Sequence, residues 1–282
     1  FVIFLFQSFL YLVFSVLIYL FIKDVPKNTL TIIAIFSPIF LLYPIAEIEV
    51  LARKEVFLYV GFIIFLNLSN YKFSKNVPLI YIFFIFPILC LIWEPFVFFF
   101  LFAVFILLIK NNDESFKKIS LKILLSFSSS IIILIIIFLN KLTPYEHVLM
   151  ENALMNNFGE SCYMSCQLLK NKTSIQDQFN PVLKHFSFEV FFRYSIVILV
   201  GFSALFFLIS NSKLKEKSFF LDSTIYKWIF SKNFIFLYFV MLFPSLILLS
   251  IMSDWGRVVN ITYTFSILTY IYLIKHNLLT FK

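Results

Sequence analysis

The sequence predicts an all-α fold, a polytopic bundle of membrane-spanning helices, on three observations. Hydrophobic residues make up 61% of the 282 and charged ones only 13%, with a mean hydropathy of +0.97, more apolar surface than a water-soluble domain could hide. Apolar runs of roughly 15 to 22 residues recur along the chain, the length an α-helix needs to cross a hydrocarbon core about 30 Å thick. The alternating segments of about ten residues that build an outer-membrane barrel are absent.

About nine spans are expected: 1–22, 29–46, 56–70, 78–93, 96–109, 119–139, 191–209, 234–252 and 257–274. The first opens on Phe1 inside an apolar run too long for a cleaved signal peptide, so a further N-terminal piece is expected upstream. The second and third flank AEIEVLARKE, which reads as a short amphipathic segment at the membrane surface. The fourth contains Pro87, and Pro95 breaks the chain between the fourth and fifth, forcing Glu94 out of helical geometry. The remaining spans are separated by short connections except at 140–190 and 210–233. Residues 1–282 therefore read as a single transmembrane domain with one larger loop at 140–190.

Charge orients the bundle. The connections 23–28, 71–77, 110–118 and 210–233, the C-terminal tail and Lys122 hold 15 of the 23 Lys and Arg but only five acids. The alternate set holds eight bases and ten acids. The positive-inside rule makes the first set cytoplasmic, so the net charge of +8 reflects membrane orientation. No basic stripe of the kind that binds nucleic acid is visible. All three arginines, Arg53, Arg193 and Arg257, then fall on the extracytoplasmic side with Glu49, Trp93, Glu94 and the 140–190 loop.

Several clusters on that side carry candidate chemistry. In SDWGR, Asp254 and Arg257 lie three apart at a helix start, where they can pair, and where an acid suits the helix dipole. A capped turn with an arginine reaching headgroups explains them too. A charge at membrane depth is nonetheless costly, and a planar guanidinium grips phosphate well. Gly256 keeps that turn narrow. Glu94 sits between two short helices, an arrangement that builds buried polar sites; apolar surroundings would raise its pKa and suit it to proton transfer. Trp93 and Trp255 can join the aromatic belt at the membrane interface. Glu49 and Arg53 occupy neighbouring helical positions, as does Lys54.

The long loop carries His147 beside Glu146, with Cys162 and Cys166 in a C-x3-C spacing. Two nearby cysteines fall short of a four-ligand zinc signature, so a disulfide or two structural thiols is expected there, and no metal. Cys90, within a span, reads as packing. No P-loop, GxGxxG, GxSxG or HExxH occurs, so nucleotide, dinucleotide and classical protease chemistry have no support.

Taken in order, Arg53-Lys54-Glu55 ahead of a span, Trp93-Glu94-Pro95-Phe96 opening a Phe-rich helix, and Asp254-Trp255-Gly256-Arg257 resemble the EpsG-type and O-antigen-polymerase-like bacterial membrane proteins. Related proteins often carry His before the Glu, where this chain has Trp93. The resemblance implies a glycosyltransferase or polysaccharide polymerase in the bacterial inner membrane, acting on polyprenyl-diphosphate-linked sugars at the extracytoplasmic face. It implies Glu94 or Asp254 as the base, and Arg257 and Arg53 on the diphosphate, with Glu49, His147, Trp93, Trp255 and Gly256 lining the substrate. No cofactor is required, and polysaccharide assembly or export proteins are expected partners, nucleic acid not. The alternatives are a transporter or flippase for an anionic or lipid-linked solute, or a non-catalytic subunit of an export assembly.

Overall fold

The computed structural model describes residues 2–23, 25, 29–42, 54–70, 72–111, 113–140, 142–162, 166, 187–215, 234–252 and 254–281. Of the described residues, 83% are helical. In chain order the helices are α1 (Val2–Ile22), α2 (Thr29–Ile35), α3 (Glu55–Leu68), α4 (Asn76–Ile92), α5 (Phe100–Lys110), α6 (Phe116–Leu139), α7 (Pro144–Phe158), α8 (Phe188–Ser210), α9 (Phe234–Ile251) and α10 (Trp255–Lys275). Two short strands, β1 (Ser212–Leu214) and β2 (Leu279–Phe281), pair antiparallel, an addition the sequence pattern did not announce.

Among the described residues five helices are long and apolar enough to cross a membrane, against about nine expected spans: Phe4–Ile22, Phe116–Leu139, Phe188–Ser210, Phe234–Ile251 and Trp255–Lys275; the described parts of the other four segments are shorter helical pieces. The shorter segments are broken for local reasons. Pro38 disfavours α geometry at Ser37, so α2 stops at Ile35 and a π-helical turn, Pro38–Leu42, takes over. A second break follows α4: Trp93 is extended (φ −154°, ψ 103°), while Glu94, expected outside helical geometry because of Pro95, instead opens a 3-10 turn, Glu94–Phe99, that precedes α5. With 11 residues, α5 reaches only about 17 Å.

The outer helices are apolar on both sides. On α1, Phe14, Ile18 and Phe21 recur at helical spacing and are buried, while Phe9, Leu12 and Val16 are exposed. On α6, Leu124, Leu125, Ile132, Ile135 and Phe138 are all exposed. Leaving such side chains in water instead of burying them costs about 1.5–3 kcal/mol each. These faces are built for lipid.

Helix α10 is the hub. It packs on α3, α5, α8, α9 and the π-helical turn, and every residue from Val258 to Leu273 is buried. Its Phe265 ring stacks on Phe62 at 4.0 Å and receives the edges of Phe96, Phe99 and Phe102. Lipid cannot satisfy a polar group, and several buried polar residues of α10 find partners on neighbouring elements. Tyr263 donates to the Ala34 carbonyl (2.6 Å), Tyr272 to that of Ser69 (2.8 Å), and Tyr238 donates to Ser266 (3.0 Å).

One end of the bundle gathers lysines. Lys110, 2% exposed, donates to the carbonyls of Asn70 and Phe73 at the α3–α4 connection. Lys275 donates to the Phe21 carbonyl (3.0 Å) and lies over the Phe21 ring. Lys75 pairs with Asp113, and Lys122 with Glu114 (2.6 Å). The β1–β2 ribbon ties residues after α8 to those after α10 at the same end. Connections that the charge count assigned to one side of a membrane are thus drawn together in space.

Candidate functional site

The opposite end of α10 holds the strongest polar cluster outside the lysine end. Asp254 caps the helix, its carboxylate accepting from the Arg257 backbone N–H at 3.3 Å, as an N-cap acid does. The same side chain faces the Arg257 guanidinium, Oδ2 to Nη2 3.4 Å. A second carboxylate completes the group: Glu55, the first residue of α3, pairs through Oε1 with Arg257 Nε. Glu55 is 7% exposed, so the acid expected to belong to a surface segment instead enters the bundle. A buried carboxylate is tolerated because it is paired; either member alone would be an uncompensated charge.

The geometry divides the labour between the two acids. The Glu55 side chain is 10% exposed and that of Asp254 36%, so Asp254 is the more accessible carboxylate. Arg257 meets Glu55 through Nε and Asp254 through Nη2 as ion pairs, the Nε contact lying outside hydrogen-bond geometry. A guanidinium has five N–H donors, so those two contacts leave a fork spanning both terminal nitrogens.

The next turn continues the polar line. Tyr59 on α3 donates to the Asn260 amide oxygen, and the Asn260 amide N–H donates to the Ile39 carbonyl of the π-helical turn. Asn260 thereby braces α10 against both elements that flank Glu55. Trp255 donates its indole N–H to the Leu249 carbonyl (2.8 Å) and meets Tyr194 edge-on at 5.3 Å, which closes the α9–α10 turn.

Asp254, Trp255, Gly256 and Arg257 therefore lie together at one helix start, joined by Glu55, Tyr59 and Asn260, which the sequence reading did not single out. A signal for them existed. Glu55 is an acid opening an otherwise apolar helix, and Asn260 follows Arg257 at helical spacing in a membrane segment. Glu49 and Arg53 lie outside the described residues.

Trp93 and Glu94 stand apart from the cluster. Trp93 is 4% exposed and packs on Phe99 with ring centres 6.2 Å apart. Glu94 is exposed at the start of the 3-10 turn and makes no hydrogen bond or ion pair among the described residues. Beside that turn lies a pocket lined by Gly61, Phe62, Tyr81, Leu89, Phe96 and Phe265. It contains no charged side chain, so it is a gap in aromatic packing and not a site for chemistry.

His147 belongs to a third place. It sits on α7, whose start is a capping box: the Thr143 hydroxyl accepts from the Glu146 N–H (3.3 Å), and Glu146 Oε2 accepts from the Thr143 N–H (2.8 Å). Those hydrogen bonds, the backbone one foremost, hold the Glu146 carboxyl below its usual range. Gly159 ends the helix in the left-handed region at φ 65°, where glycine alone is unstrained. The expected Cys162–Cys166 disulfide is present, and His147 Nε2 lies 2.9 Å from the Cys166 carbonyl oxygen. No protein-family model, characterised protein or solved structure matches this chain.

Proposed function

We propose that the chain is a membrane-embedded glycosyltransferase or glycan polymerase that uses polyprenyl-diphosphate-linked sugars, working at the Asp254–Arg257 end of the bundle. The observation that supports this reading is the Glu55–Arg257–Asp254 cluster at the head of a wholly buried helix. Glu55 positions the guanidinium, and the remaining donor fork faces a leaving diphosphate. Asp254 takes the proton of the acceptor hydroxyl as that oxygen attacks the anomeric carbon and the bond from that carbon to the diphosphate breaks. Fixed cations stabilise best the charge that develops in the transition state. The lysine-rich end faces the cytoplasm of a bacterial inner membrane, the nine helical segments cross or dip into the bilayer, and the 140–190 loop lies outside.

A second reading is favoured by one observation. Between Arg257 and Lys275, α10 buries Asn260, Thr264, Ser266, Thr269 and Tyr272, polar side chains distributed around the helix along its whole length. A transporter or flippase for an anionic or lipid-linked solute would use such a polar central helix without chemistry.

Reconstituted protein given a labelled polyprenyl-diphosphate oligosaccharide separates the two readings. Arg257→Lys should cut polymer formed per inserted protein about 30- to 1000-fold, because a point charge lacks the fork and a charge-assisted bidentate contact is worth about 2–4 kcal/mol. Asp254→Asn should impair it as well, with Lys117→Ala unchanged. Uptake without polymer favours the transporter, and Arg257→Lys and Asp254→Asn at the level of Lys117→Ala sink the enzymatic reading.

A further inference from the structure

Helix α7 is exposed along most of its length, with Tyr145, Val148, Leu149 and Phe158 all turned outward. His147 is the exception, 3% exposed, and what lies against it is the Cys162–Cys166 pair. His147 Nε2 lies 3.7 Å from Cys162 Sγ and 3.8 Å from Cys166 Sγ, and the three donor atoms fall within 4.8 Å of one another. Its other ring nitrogen, Nδ1, is buried with no hydrogen-bond partner among the described residues. A ring meant only to fill space would be replaced at no loss by an apolar one; this ring buries a polar nitrogen to bring another against two sulfurs.

The distances match a known chemistry. A tetrahedral zinc-class ion with Zn–S of about 2.3 Å and Zn–N of about 2.0–2.1 Å holds its nitrogen and sulfur ligands about 3.6 Å apart. Both sulfurs already stand near that separation from Nε2. Only the sulfur–sulfur bond stands in the way.

We propose that His147, Cys162 and Cys166 form a redox-gated site for one thiophilic divalent cation of the zinc class, closed while the disulfide stands and opened when a dithiol reduces it. In the reduction the disulfide takes two electrons and two protons from the dithiol, which becomes a disulfide itself, leaving two thiols. The cation then displaces both thiol protons to solvent and is held by two thiolates and a neutral imidazole, a set with no net charge that suits a buried place. The ring binds through Nε2 and keeps its single proton on Nδ1, so the contact to the Cys166 carbonyl gives way to the metal bond. A fourth position remains for water or an outside ligand. The proposal draws on no residue of the Arg257 cluster and stands whichever reading of that cluster holds.

The experiment uses the whole protein in detergent, reduced with a phosphine, which takes its oxygen from water, and then freed of reductant without air. Co2+ is the probe, read by the thiolate-to-cobalt charge-transfer absorption. One Co2+ per chain, displaceable by Zn2+, is expected after reduction and none before it. Cys162→Ser and Cys166→Ser should each abolish the band, Cys90→Ala should leave it, and His147→Gln should weaken binding roughly 10-fold or more, since even an outer-shell partner of a ligand is worth that. If His147→Gln does not fold, the wild type decides alone, by peptide mass after alkylation: Zn2+ should protect both loop thiols. No band from the reduced protein, binding by folded His147→Gln equal to wild type, or equal alkylation with and without Zn2+ would each overturn the site.

Discussion

The two ends of the bundle solve the problem of charge near a membrane in opposite ways. At the lysine end, Lys110 and Lys275 rest on backbone carbonyls, and the acids that are present pair in partly exposed positions. At the other end a single arginine stands between two carboxylates, one of them buried. Carbonyl dipoles that end a helix welcome any cation, and an ammonium there needs no particular neighbour. An arginine held from two sides by ionised acids has a set orientation and an unbalanced charge close by. The first arrangement rests its cations on dipoles; the second fixes one cation between two acids.

The largest effect should come from breaking the arginine cluster. Glu55→Ala leaves the guanidinium without its buried partner and should destabilise the protein by about 3–5 kcal/mol, read as a drop in thermal midpoint in detergent. Replacing Glu55 and Arg257 together by Leu should recover much of that loss. A loss below about 1 kcal/mol for Glu55→Ala would mean that the pair is solvated and the two ends are alike.

Lys110→Met comes next. It removes a buried cation from two carbonyls and should cost about 1.5–3 kcal/mol, the range for hydrogen bonds to a charged group. No measurable change would mean that water replaces the ammonium, and that this end is held by the ribbon and the helices instead.

The smallest effects are those of pH. Burial first, then Lys275 and Lys110, push His276 down from 6.5 to about 4. The folded state thus resists a proton that the unfolded chain accepts, so stability should fall as pH drops from about 6.5 toward 4 and level off below. His276→Gln should flatten that slope. Asp113 acts lower down: the Lys75 hydrogen bond holds its carboxyl below the usual 3.8, so its contribution is present above that value and is lost as pH falls through the lowered one. Both partners are well exposed, so Asp113→Asn should cost under about 1 kcal/mol. A slope insensitive to His276→Gln would place the titration elsewhere.

The helices were legible because hydropathy alone specifies a membrane span; the breaks at Pro38 and Pro95 concern backbone geometry and shorten helices that composition draws as continuous. The ranking of helices was also written in the chain. Helix α6 has a mean hydropathy of 2.5 and α10 only 1.3, and a span that polar belongs in the middle, where protein and not lipid surrounds it. Asp254 and Arg257 were readable because they are neighbours in sequence. Glu55 was not assigned to them, because the contact joins residues 202 positions apart and depends on α3 standing beside α10. The sequence left a disulfide or two structural thiols open at Cys162 and Cys166, and the structure has the disulfide; the arrival of His147 beside it required α7 to be in place.

The full enclosure of α10 bears on how the protein is made. Every helix it packs against precedes it in the chain, so it emerges from the ribosome only after they have entered the bilayer. Offered to lipid alone, its asparagine and tyrosines would lack the carbonyls and hydroxyls that meet them. Until α10 arrives, those same acceptors on the earlier helices stand empty around a vacant centre. A ribosome stalled just before this segment should therefore leave the earlier helices in the membrane without the one they pack around.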